Sequence, residues 1–195
     1  MTLVAVILPL TLLPMPQGLT DRQVYARCQA KLKGVARLQM EVHSLDKAGK
    51  YVAKQHTAWA DSNRGYRIEG EAGWMTICDK KQVYERNSKG KVTVEDYDAW
   101  RLYNTLGFDI FPDESSPKLW GDKAEIVDFD KRSCYRLSPR YGESILADYT
   151  LYIDAITFLP AGFTERQMGE WSHTLAYRKI QLNPKLDPAK FKIPK

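Results

Sequence analysis

Cysteine and histidine are scarce in this 195-residue chain, three of each, and neither type is clustered. His43, His56 and His173 fall on separate strand-like runs, no two of them at metal-ligand spacing, and no Cys-x-x-Cys occurs. That leaves no basis for a zinc or redox centre. A glycine-rich phosphate loop and a Gly-x-Ser-x-Gly elbow are also missing, so nucleotide-dependent and serine-hydrolase chemistry have no motif to stand on. The carboxylate pairs Asp128/Asp130 and Glu69/Glu71 sit two apart, as on a solvated strand face. The expectation is a protein with no cofactor and no enzymatic activity. Charge of one sign is not concentrated either. The net charge of +5 comes from basic residues dispersed among 24 acidic ones, apart from the tail Lys185, Lys190, Lys192 and Lys195. A nucleic-acid partner, which would ask for a gathered basic patch, is therefore not expected.

What is present is an ordinary globular composition. Hydrophobic residues make up 44% and charged residues 27%, enough apolar material for a folded core rather than a disordered chain. This length suits one domain. Leu3 to Leu13 is an apolar run of signal-peptide length, much too short to span a bilayer, and Pro9, Pro14 and Pro16 disfavour a core helix there. We read residues 1–18 as a secretory signal peptide and residues 19–195 as a single domain. Cys28 lies too far from the apolar run to be a lipid-bearing cysteine. In an oxidising compartment Cys78 and Cys134 are the pair to expect in a disulfide, and three buried thiols acting as small apolar residues are the alternative.

Thr20-Asp21-Arg22-Gln23 has the capping-box form, and Val24, Cys28 and Leu32 recur every four residues up to Gly34. This predicts one amphipathic helix. From Val35 the period changes to two: Ala36, Leu38, Met40 and Val42 alternate with Arg37, Gln39, Glu41 and His43, as in a half-buried strand. Turns at 46–50, 61–65 and 87–90 then separate strands at 51–60, 66–69, 74–79, 82–86 and 91–95. A second, aromatic-rich helix is expected from Asp98 to Leu106, followed by a loop from Asp109 to Asp122. Strands resume at 124–129, 133–138 and 144–154. The last third is a meander of β-branched and aromatic runs, in which Leu175 and Tyr177 fall on one parity and Ile180 and Leu182 on the other. A slip of one residue marks a bulge, and bulges bend sheets. The sum is an α+β fold, a strongly curved antiparallel half-barrel of about ten strands with helices plugging its concave side.

The C-terminal third carries a resemblance. Tyr152-Ile153-Asp154, then Leu159-Pro160, then a strand ending in Leu182-Asn183-Pro184, then Phe191 before Pro194, is similar in order and spacing to the end of the periplasmic lipoprotein carriers of the LolA/LolB type. Trp59 and Tyr66-Arg67-Ile68 resemble the family's earlier strand pair. The intervening turn differs: Ser62 stands where the family has an arginine, and Arg64 is displaced by two.

The resemblance implies a non-enzymatic periplasmic protein that binds and transports lipoproteins, or other acylated or lipid ligands, in an apolar cavity. Its partners would be acyl chains or lipids and a membrane-bound donor or acceptor protein, with a monomer expected. The alternative is a periplasmic sensor or protein-interaction module of the same fold in envelope stress signalling. The cavity residues expected on this reading are Leu38, Met40, Val42, Trp59, Ile68, Met75, Ile77, Trp100, Tyr103, Leu106 and Phe108. Location would be periplasmic or secreted, through the N-terminal signal.

Overall fold

The computed structural model describes residues 18–96, 123–138, 147–167 and 170–193. The expected signal peptide, the second helix and the 109–122 loop lie outside the described residues. Among those described, helix α1 (Asp21–Leu32) precedes eleven strands. In chain order they are β1 (Arg37–Leu45), β2 (Tyr51–Asp61), β3 (Gly65–Gly70), β4 (Met75–Cys78), β5 (Gln82–Arg86) and β6 (Val92–Asp96). After them come β7 (Glu125–Phe129), β8 (Arg132–Leu137), β9 (Ala147–Asp154), β10 (Pro160–Gln167) and β11 (Glu170–Leu182). The capping box at α1 forms as its sequence dictates. The Thr20 hydroxyl accepts from the Gln23 amide at 3.2 Å, and the Gln23 side chain accepts from the Thr20 amide at 3.0 Å.

All eleven strands form one antiparallel sheet in the order β6-β5-β4-β3-β2-β1-β11-β10-β9-β8-β7. Every neighbour is also a neighbour in sequence except β1 and β11. The sheet is thus an open meander whose first and last strands pair at its centre, and it is not a closed barrel. The seam is sewn by Asn183. Its Oδ1 accepts from the amides of Ala36 and Arg37 at 2.8 and 3.1 Å, while its own amide donates to the Arg37 carbonyl at 2.7 Å. Asn183 has φ 51°, a conformation asparagine tolerates better than most residues.

The expected phase slip in β11 is real. The register with β1 shifts between Gln39 and Glu41, and Lys179 opposite takes φ 51°. The shift sets Leu182 against Leu38 as well as Tyr177 against Val42, so both parities of β11 serve one face. Other shifts fall between Val42 and His43, Ser44 and Leu45, Pro160 and Gly162, and Glu165 and Arg166. Asp154, of the Ile-Asp motif, turns the chain after β9. Its Oδ1 accepts from the amides of Ile156 and Thr157, and Phe158 follows at φ 57°. The strand therefore stops at Asp154, since the Asx turn takes the backbone out of the ladder.

The strand pairing separates two faces. Register rows run Leu38–Ala60–Tyr66–Cys78–Val83, Met40–Ala58–Ile68–Thr76 and Val42–His56–Gly70 on the first face. Rows Gln39–Trp59–Arg67–Ile77–Tyr84 and Glu41–Thr57–Glu69–Met75–Arg86 lie on the second. Helix α1 packs on the first, through Val24, Cys28 and Leu32. The three cysteines are free and buried. Cys78 belongs to the helix-face core and Cys134 to a cluster on the other face, so the disulfide expected between them does not form.

Candidate functional site

On the helix face one apolar cluster extends over nine of the eleven strands. Leu38, Met40, Val42 and Ile68 form its centre, all at most 2% exposed. Tyr135, Leu137, Leu151, Ile153, Phe163 and Tyr177 continue it on β8 to β11. Helix α1 covers part of it. It leads into β1 at its C-terminal end, while the Leu19 carbonyl before it accepts from Ala124, just ahead of edge strand β7, at 2.8 Å. Arg27 lies over the Phe158 ring at 5.2 Å. Among the described residues the arrangement offers dispersion and apolar burial. No group of three or more potential metal ligands exists among the described residues.

The expected cavity residues divide. Leu38, Met40, Val42 and Ile68 share the helix face. Trp59, Met75 and Ile77 point the other way, because Trp59 pairs with Gln39 and Arg67, and Ile77 pairs with Arg67. Trp59 packs with Leu186 and Phe191 of the C-terminal segment, under Lys190, whose Nζ is 4.1 Å from the ring centre. Met75 and Ile77 pack with Tyr84 and Ile193. Trp100, Tyr103, Leu106 and Phe108 lie outside the described residues.

Two features had no separate signal in the sequence. The first is a groove of about 540 Å³ at the end of the helix-face rows, lined by His56, Gly70, Glu71, Trp74, Asn87 and Ser88. His56 is 7% exposed, and its Nε2 has no hydrogen-bond partner among the described residues. Burial pushes its imidazole down to about 4, so it is uncharged at neutral pH. The second is a polar groove of about 820 Å³ on the opposite face. There Phe129 and Tyr152 stack at 3.8 Å, and Trp171 donates to Thr174, whose hydroxyl meets that of Thr164 at 2.9 Å.

A charged network holds the second face together. The Asp130 carboxylate accepts from Arg178 Nε at 2.9 Å and also from its Nη2; Arg132 lies at 3.4 Å and donates on to the carbonyls of Ala161 and Tyr177. Glu41 accepts from Lys179 at 3.0 Å and from Lys54 at 3.4 Å. The Lys179 contact, opposed by burial and aided by His43 and Lys54, brings the Glu41 carboxyl down to about 2. Arg64 is engaged by Asp61 at 2.7 Å.

No family model matches the chain, and no curated protein matches it in sequence. Solved structures do match. The Mycobacterium tuberculosis lipoprotein LppX is 12% identical, with 84% of this chain and 95% of that chain covered and a TM-score of 0.51. A LolA superfamily protein from Nitrosomonas europaea is 9% identical over 90% of this chain and 98% of its own, with a TM-score of 0.44. The Pseudomonas aeruginosa MucA/MucB complex gives 10% identity over 89% of this chain and 61% of that chain, with a TM-score of 0.47. At such identities the likeness is one of fold. The chain shares its fold with the mycobacterial lipoprotein LppX.

Proposed function

We propose that this protein is a non-enzymatic carrier in the bacterial envelope, holding acyl chains of lipoproteins or of other lipids on the helix face of a half-barrel sheet. The observation that supports this best is the single apolar cluster spread over nine of eleven strands of an open sheet. A core built only for stability needs no opening. The sheet is an open meander and not a closed barrel, and an apolar face of this extent suits apolar ligands. Each ångström squared of acyl chain removed from water contributes about 25 cal/mol, so no chemical step is required to hold cargo. On this reading Leu38, Met40, Val42 and Ile68 contact the chain. Trp59, Met75 and Ile77 support the sheet from behind. Native mass spectrometry of protein purified without detergent is the test. A co-purified acylated species of defined mass supports the carrier, and uniformly bare protein that also fails to bind an added fatty acid counts against it.

The second reading is a sensor or protein-interaction module of the same fold. What favours it is the Ser62–Arg64 departure, with Arg64 tied to Asp61. Recovery of one stoichiometric protein partner from membranes, with no lipid, would select it.

A further inference from the structure

We propose that His56, with Trp74 beside it, is the polar anchor of this site, hydrogen-bonding the hydroxyl or ester oxygen of an uncharged acyl lipid whose chain lies along the helix face. The inference rests on the carrier reading and assigns the headgroup class.

Four observations meet at this point. His56 belongs to the row Val42–His56–Gly70, and its neighbour Val42 lies in the apolar cluster. The imidazole therefore stands where apolar surface gives way to the groove of about 540 Å³. Its Nε2 has no partner among the described residues and is enclosed just behind the groove wall, so a ligand oxygen meets it only when the ring turns toward the groove. A buried polar group left unpaired costs about 1–3 kcal/mol, which that contact would relieve. Trp74 is set against it by a constrained turn, the ring centres 6.0 Å apart. In that turn Ala72 and Gly73 take φ 53° and 77°, and Arg86 Nε donates to the Gly73 carbonyl at 3.1 Å. The Trp74 ring lies so close over Gly70 that a Cβ there would come within 2.6 Å of it. The fourth observation is charge. Lys54 at the groove is occupied by Glu41, Glu71 adds a negative group, and the imidazole is uncharged. Among the described residues lining the groove the one cation, Lys54, is already paired, so a carboxylate or phosphate headgroup is less well served there than a hydroxyl or ester, which needs only the one hydrogen bond.

The test compares two probes with the same chain and different heads, 1-oleoylglycerol and oleate, titrated against the full-length protein and the variants His56→Leu and His56→Gln. The expected result is tighter binding of 1-oleoylglycerol than of oleate by the wild type. His56→Leu should lose about fivefold for 1-oleoylglycerol, the worth of one hydrogen bond, and leave oleate unchanged. Glutamine, which keeps a polar atom, should restore part of the loss. Without ligand, His56→Leu should be more stable to denaturant than the wild type at pH 7, since it removes an unpaired buried nitrogen. A less stable or unfolded His56→Leu would show that Nε2 is not unpartnered and overturn the proposal. Binding of both probes unaffected by either variant, or tighter binding of oleate, overturns the anchor and leaves the carrier standing. No binding of either probe overturns both.

Discussion

Gly162, the single glycine of β10, shows how much one position carries. A Cβ there would come within 2.2 Å of the Leu175 carbonyl oxygen and 2.7 Å of the Phe129 ring, which lies flat on Tyr152. Gly162→Ala must displace the ring stack or open the β10–β11 ladder. We expect a loss of about 1–3 kcal/mol in denaturant titration; an unchanged midpoint would contradict this packing. His56 governs a different observable. Its pKa in the folded protein is lowered by burial to about 4, while the unfolded chain has the ordinary value near 6.5. Above the unfolded value neither state holds the proton and stability is complete. Between the two values the unfolded chain takes a proton that the folded one refuses, so stability falls as the pH falls, and it levels off below about 4. Going from pH 7 to pH 5 should cost about 2 kcal/mol through this residue. His43, also lowered by burial, acts in the same direction and remains in the variant. The checkable quantity is therefore the difference in slope between wild type and His56→Leu, and equal slopes would refute it.

Among the elements, the β7–β8 hairpin is the one held by charge. Asp130 and Lys131 form its two-residue turn, both with positive φ, a geometry that matches the twist of paired strands. The turn places the Asp130 carboxylate, 7% exposed, against Arg178 on β11, three strands from β8. Burial acts to raise this carboxyl, but the Arg178 hydrogen bonds and charge outweigh it and leave it below the usual range. The stability it contributes is present above the ordinary carboxylate pKa and is lost as the pH falls through the depressed one. Arg178→Met keeps much of the aliphatic stem and removes the charge. It should destabilise by about 1–3 kcal/mol at pH 7, because the buried carboxylate loses its bidentate partner, and it should move acid unfolding to higher pH. An unaltered acid midpoint would mean that Arg132 alone suffices.

For the molecule as a whole, the C-terminal segment explains why the resemblance in the sequence runs past the last strand. After Asn183 the chain crosses the second face, and Leu186 and Phe191 close over Trp59. The Arg67 guanidinium donates to the Lys190 carbonyl at 3.1 Å and holds the segment down. Phe191→Ala empties the centre of that cluster. A cost of about 3–5 kcal/mol is expected. Because Phe191 lies behind the sheet, the affinity for an acyl probe in the folded variant should stay as in the wild type. Lost affinity without lost stability would instead bring this face into the binding site.

Much of this architecture was legible in the chain itself. The capping box marked α1, the change of period at Val35 marked the first strand, and the parity slip between Tyr177 and Ile180 marked the bulge, because each is a local rule acting within a few residues. Asp154, Asn183 and Phe191 stood out as an ordered set before their roles were visible. The composition of a face was not legible. Alternation tells which residues of one strand point together, but not which side of the next strand they join. That is settled by register, and a slip of one residue exchanges the faces. So Trp59, Met75 and Ile77 read as companions of Leu38 and Met40, while the pairing of Gln39 with Trp59 turned them to the back of the sheet. His56 gave no sign of its role for the same reason. Its burial and its unpaired nitrogen exist only once β1, β2 and β3 are in register and Trp74 has folded across Gly70.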